Sequence, residues 1–381
     1  MNRPKAVVPS LESQALHIQG PKLLQHLIAA GVFLASAATL SAQWEIEESH
    51  TTAGLRGIAN VGDEIAWASG TNGTVLRTVD GGSKWQMCPV PLGADKLDFR
   101  AIQAFDEKTA IVMSSGKGDL SRLYKTVDGC ATWTLVLANP DAAGFWDAFR
   151  AADPSTMIIL GDPVDGAFQI RETKDGGETW SIERTQPSWL NEGAFAASNS
   201  ALSINWDEGP AVFGTGSLGG ARLFRDECYP CTKHTERWKA TEVGVFPWGL
   251  SAGIFSIRQS TWDHLVAVGG DYQKPDLQEG TAAWSNDAGR HWHKSDTPPR
   301  GYRSAVDYDS VARAWVAVGP NGTDISTDDG RSWYPLKPGP GEPPDANRNW
   351  NALSLPFVVG PNGRIGKWKG TETNRRVIPL E

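Results

Sequence analysis

Short apolar runs recur along the chain, and each is interrupted in the same way. "GTVLRT", "SRLYKT", "FQIRET", "TAAWS" and "GTDIS" each give way to a polar octet that ends in tryptophan. The octets are "TVDGGSKW" from Thr78, "TVDGCATW" from Thr126, "TKDGGETW" from Thr173, "SNDAGRHW" from Ser285 and "STDDGRSW" from Ser326. Short runs bounded by Asp/Gly clusters read as strands, and an octet between two of them reads as a hairpin turn. Its residue types suit that task. The Ser/Thr hydroxyl and the Asp carboxylate can accept backbone N–H bonds inside the turn. Gly adopts backbone angles that other residues resist, and Trp buries a large ring against neighbouring sheets. None of this needs a substrate.

The spacing sets the architecture. The octet aspartates are Asp80, Asp128, Asp175, Asp287 and Asp328, and the gap of 112 from Asp175 to Asp287 is about twice the 47 or 48 before it. One unit therefore lacks the motif, and "LFRDECYPCTKHTERW", ending at Trp238, fills its place. A seventh unit, "WNALSLPFVVGPNGRIGKWK", has no octet after it; its outer strand is expected from "QWEIEES" around Trp44, at the other end of the chain. Residues 43–381 number 339, or about 48 per unit, the size of a propeller blade. The expectation is an all-β, seven-bladed β-propeller closed by the N-terminal strand. A second repeat, "GTNGTV" at Gly70, "GPNGTD" at Gly319 and "GPNGRI" at Gly360, supplies Asn-Gly hairpin turns between second and third strands.

Composition agrees with a turn-rich β-protein: 41 Gly, 24 Pro and 17 Trp in 381 residues. A net charge of -8 argues against general affinity for nucleic acid or an anionic membrane surface. Arg3, Lys5 and Lys22 precede the apolar run "HLIAAGVFLASAATLSA", a pattern that reads as a signal peptide cleaved after Ala37 or Ala42. The expected division is residues 1–42 as leader and 43–381 as one exported domain, periplasmic or secreted, monomeric, with no membrane association beyond export. In an oxidising compartment the "CYPC" cysteines, Cys228 and Cys231, are expected to form a local disulfide. The pairing of Cys88 and Cys130 is left open.

Innermost strands are expected to start at "GLRGI", "DFRAI", "GFWDAF", "NEGAF", "SAGIFS", "GYRSAV" and "NWNALS". Their first residues would look into one channel mouth. This places Arg56, Arg100 and Arg303 on a basic half and Asp147, Glu192 and Asp271 on an acidic half. Tyr302 adjoins Arg303, and the turns on the same face add Asp162 and Asp165 from "GDPVDG" and Tyr272 from "GGDYQKPD". Polar groups of both signs in a concave site suit a protein segment or a small anionic or zwitterionic ligand. Arginine presents a fork that matches carboxylates.

The octet resembles the Asp-box, or BNR repeat, of sialidases and many other β-propellers, where it joins the third and fourth strands away from the ligand face. The "LR-x-I" strand starts and "DGG-x-x-W" boxes are similar to the photosystem II stability/assembly factor family. "GDPVDG", "GGDY-x-KP", "PPRGYRSAV" and "VGPNGTD-x-S" are similar to a bacterial group of YVTN/BNR-like propellers, some of which carry an oxidoreductase label. No dinucleotide fingerprint, haem CxxCH or flavin site accompanies that label here, so no cofactor is expected. These resemblances imply a non-catalytic binding propeller, such as an assembly or stability factor. The alternative is a sialidase-like glycoside hydrolase, with the three arginines on a substrate carboxylate and Tyr302 with Glu192 as nucleophilic pair. The sialidase "Arg-Ile-Pro" opening is absent: Gly57 and Ile58 follow Arg56.

Overall fold

The structure, a computed structural model, describes residues 44–62, 64–183, 185–205, 209–227, 237–339 and 342–369. The expected leader, residues 1–42, and the expected Cys228–Cys231 disulfide lie outside these residues. The described residues form seven antiparallel sheets in chain order around a ring, with a single short 3-10 turn, Gly118–Leu120. Blade 1 runs Leu55–Val61, Ile65–Gly70, Val75–Thr78 and Gln86–Met87. Blade 2 runs from Phe99–Ala104 to Thr134–Ala138, blade 3 from Trp146–Ala151 to Ser181–Glu183, and blade 4 from Leu202–Asn205 to Trp238–Glu242. Blade 5 is built on Gly249–Gln259, blade 6 on Ala305–Asp309 and blade 7 on Ala352–Ser354.

The ring closes as the spacing predicts. Trp44–Glu47 is the outer strand of blade 7, with Trp44 opposite Trp368 and Glu47 opposite Ile365. Trp44 lies against Trp368 and Trp350, ring centroids 4.9 and 5.8 Å away. Aromatic contacts of this kind add to the area they bury. Hydrophobic cores fill the seams between neighbouring blades. Leu55, Trp85 and Phe357 join blades 1 and 7, while Trp67, Phe99 and Tyr124 join blades 1 and 2.

The octets are turns held by their own side chains. Thr78 Oγ1 donates to Asp80 Oδ1 and accepts from Gly82 N–H, while Asp80 Oδ1 also accepts from Lys84 N–H. The same three bonds recur from Thr126, Thr173, Ser285 and Ser326. Of the octet tryptophans, Trp85 and Trp333 are buried, while Trp133, Trp180 and Trp292 are half-buried at the blade edges. In the second octet Cys130 takes the glycine position with φ 67°, and it forms a disulfide with Cys88 from the end of blade 1. The sequence left that pairing open; the structure shows it as a buried staple between adjacent blades.

Blade 4 departs from expectation. Its innermost strand is Leu202–Asn205, about ten residues beyond Glu192. Glu192–Gly193 instead pairs with Gly216–Ser217, which pairs in turn with the long strand Gly249–Gln259. Glycines permit this crossing: a Cβ on Gly216 would stand 2.5 Å from Ala252 O, and one on Gly253 would stand 2.5 Å from Gly216 Cα. The segment between Glu192 and Leu202 is thereby free to run across the channel mouth.

Candidate functional site at the channel mouth

The innermost strands enter the mouth through a four-residue pattern: apolar, variable, small, apolar. It reads Leu55-Arg56-Gly57-Ile58, Phe99-Arg100-Ala101-Ile102, Trp146-Asp147-Ala148-Phe149, Ile254-Phe255-Ser256-Ile257 and Trp350-Asn351-Ala352-Leu353. The first member is buried between blades in every case. In blades 1, 2, 3 and 5 the pairing with the second strand skips the variable residue. Leu55 faces Gly70 and Gly57 faces Ser69; the same skip falls at Arg100, Asp147 and Phe255. A bulged residue leaves the ladder and its side chain is re-aimed. Here all four line one cavity at the mouth. A fifth bulge, between Gly161 and Pro163, brings in Asp162 from the second strand of blade 3.

The cavity measures about 460 Å³. One side of its wall is basic. Arg100 is anchored: its Nε donates to Asp98 Oδ2 at 2.8 Å and its Nη1 to Ala196 O at 3.0 Å. Arg56 is half-buried beside it, and no hydrogen bond or ion pair joins it to a described residue. Burial and the neighbouring Arg100 guanidinium hold Arg56 below the usual arginine range, with Asp98 opposing. The next part of the wall is acidic. Burial, reinforced by the Asp162 carboxylate, pushes Asp147 well above the usual carboxylate range, and burial also raises Asp162. Asp162 Oδ1 accepts from Ala194 N–H at 3.0 Å, which pins the segment that crosses the mouth.

The remaining wall is aromatic. Phe195, on the crossing segment, stacks on Phe255 with centroids 3.9 Å apart. Phe255 meets Tyr302 edge-on at 4.8 Å and Tyr272 at 6.1 Å. Trp350 closes the wall beside Asn351. Below them a chain of hydroxyls ties the blades together: Ser198 and Ser200 Oγ are 2.6 Å apart, and Ser200 Oγ donates to Ser256 Oγ at 2.7 Å.

Six of the ten residues anticipated at the mouth therefore share the cavity: Arg56, Arg100, Asp147, Asp162, Tyr272 and Tyr302. Four do not line it. Arg303 is 1% exposed and points into protein, donating from Nε to Asp324 Oδ2 at 2.7 Å and from Nη1 to Asn321 Oδ1 at 2.6 Å. The reason is phase: Arg303-Ser304-Ala305-Val306 puts Arg303 at the buried first position and Ser304 at the variable one. Consecutive side chains take opposite sides, so Tyr302, and not Arg303, reaches the cavity.

Glu192 is buried in a paired fork with Arg222, whose Nε donates at 2.9 Å, and it accepts from Thr215 Oγ1 at 2.6 Å. Tyr302 and Glu192 thus form no nucleophilic pair. Asp271 is occupied by Ser251 Oγ at 2.6 Å and Gln273 N–H at 3.0 Å. Asp165 sits exposed at a hairpin tip with φ 53°. Sequence reasoning missed Phe195, Phe255 and Trp350. The four-residue pattern would have found Phe255, because it occupies the position of Arg56 and Arg100.

Seven blades and Asp-box turns define a BNR-repeat β-propeller. Residues 36–199 match the family model described as photosynthesis system II assembly factor YCF48, and over that stretch the chain is similar to that family. Among solved structures, "YCF48 bound to D1 peptide" aligns with TM-score 0.59 at 15% identity, over 86% of this chain and 96% of that one. YCF48 from Cyanidioschyzon merolae aligns with TM-score 0.59 at 16% identity, over 86% and 99%. A streptogramin B lyase aligns with TM-score 0.57 at 13% identity, over 88% and 99%. At such identities these likenesses concern the fold. No curated protein sequence matches the chain.

Proposed function

We propose that the chain is a non-catalytic binding propeller that holds a protein segment at its channel mouth and serves a partner as an assembly or stability factor. The observation that carries this is Arg56: a half-buried guanidinium in the wall of a cavity of about 460 Å³, with no protein partner among the described residues. Arg100 stands beside it, held in place by Asp98 and the Ala196 carbonyl. Arg56 faces the Arg100 guanidinium, whose repulsion Asp98 offsets only in part, and a carboxylate fits the Arg56 fork. The solved YCF48 that carries a D1 peptide gives the same fold a peptide ligand and supports the reading.

The apolar leader and the Cys88–Cys130 disulfide support an exported location, since disulfides persist in oxidising compartments. The test is affinity capture from extract of the native cell, followed by mass spectrometry, with wild-type protein and Arg56→Ala side by side. A partner retained by the wild type and lost by a folded Arg56→Ala supports the proposal. Equal capture by both sinks it.

A further inference from the structure

We propose that the acidic and aromatic part of the same wall is a cation site, taking a primary ammonium or guanidinium group of the bound segment between Asp147, Asp162 and the Phe195–Phe255–Tyr302 rings. This rests on the reading of the mouth as a binding site and adds what the occupant must carry. Asp147 is 2% exposed, yet its Oδ2 has no hydrogen-bond partner, and the residue lines the cavity. A buried carboxyl oxygen without a donor is an expensive feature to retain. Within the blade the Asp162 N–H bears on the carboxyl group, yet Oδ2 is left without a donor. The second carboxyl, Asp162, has only the Ala194 N–H on Oδ1. Burial first, and the nearby Asp162 carboxyl second, disfavour ionisation of Asp147, with Arg100 opposing. A cation placed between them supplies the missing donors and removes that repulsion.

The aromatic residues belong to the same arrangement. Phe195 follows Ala194, whose N–H holds Asp162, and it stacks on Phe255, which meets Tyr302. Ring faces attract a desolvated cation and tolerate its alkyl stem. The wall thus runs from Arg56 and Arg100 through Asp147 and Asp162 to the rings. Such an order fits a segment with a carboxylate at one end and a lysine or arginine a short distance from it. Nucleic acid and wholly acidic peptides fit it poorly.

The probe is Nα-acetyl-lysine methylamide, a cation without a carboxylate, compared with its uncharged norleucine analogue by NMR titration of the mature protein. The lysine compound should bind saturably, with the norleucine compound at least about tenfold weaker. Asp147→Asn and Asp162→Asn should each erase that preference. Equal binding of the two compounds, absence of saturable binding, or an intact preference in Asp162→Asn overturns the proposal. Asp162 is half-exposed, so its variant decides the matter even if Asp147→Asn does not fold. Because the probe lacks a carboxylate, loss of the Arg56-dependent capture described above would leave this result standing, and the two failures are distinguishable.

Discussion

Arg56 and Arg303 look alike in the sequence, and their alanine variants should behave in opposite ways. Arg303 is 1% exposed and its partner Asp324 is fully buried. Asp324 Oδ1 already lacks a hydrogen-bond partner, so the whole compensation of that carboxylate falls on Oδ2 and the Arg303 fork. Truncating Arg303 leaves a buried charge with nothing opposite it, a change that costs about 3–5 kcal/mol. It also strips the Tyr302 carbonyl of a 2.8 Å bond from Nη1. Arg56 has no such partner to strand, and its removal should stay within about 0.5 kcal/mol. Urea unfolding midpoints of the two variants, with unchanged slopes, give both numbers. A third variant isolates the cause. Arg303→Met with Asp324→Leu replaces the pair by apolar groups and should recover most of the loss, because a buried pair contributes little over well-packed hydrophobic residues. A double variant as unstable as Arg303→Ala would refute the stranded-charge argument. An Arg303→Ala within about 1 kcal/mol of wild type would refute the burial argument itself.

Two further outcomes follow from other parts of the ring. The Cys88–Cys130 staple closes a separation of 42 residues, so replacing both by Ala should cost about 4 kcal/mol on the loop-entropy relation, read by urea unfolding; a stability indifferent to that replacement would remove its structural role. Glu47, on the closing strand, accepts from Trp85 Nε1 at 2.8 Å and is pushed by burial from 4.5 to about 7, with Trp85 and Lys367 opposing. A carboxyl that holds its proton more tightly when folded stabilises the fold below its unfolded pKa and loses that contribution as pH rises through the folded one. Stability should therefore fall between pH 4.5 and about 7, and Glu47→Gln should flatten this slope; an equal slope in the variant would count against the assignment.

The fold was legible because the octet is local. Its hydroxyl, carboxylate and glycine bond within eight residues, so the hydrogen bonds of each turn are written in one short string, as Thr78, Asp80 and Gly82 show. Closure was legible for a related reason: a lone Trp44 strand at one end of the chain matched an unfinished unit at the other. Blade 4 was not legible. "NEGAF" offers a plausible strand start, but Glu192 is claimed by Arg222 and Thr215, and that partnership depends on Gly216 and Gly253 crossing at a distance no side chain allows.

The site was legible in its chemistry but not in its phase. Arg56, Arg100 and Asp147 line the cavity because each follows a large apolar residue and precedes a small one, and the bulge that turns them inward falls at that point. The same register assigns Ser304 to the mouth and puts Arg303 where Leu55, Phe99 and Trp146 sit, between blades. An arginine in a seam filled elsewhere by apolar side chains must bring its own counter-charge, and Asp324 on the third strand of the same blade supplies it. Composition alone cannot separate these two arginines; a shift of one residue against the pattern of five other strand starts does. By that criterion Arg56, which has no hydrogen bond or ion pair to a described residue, is the one of the two that the fold does not need.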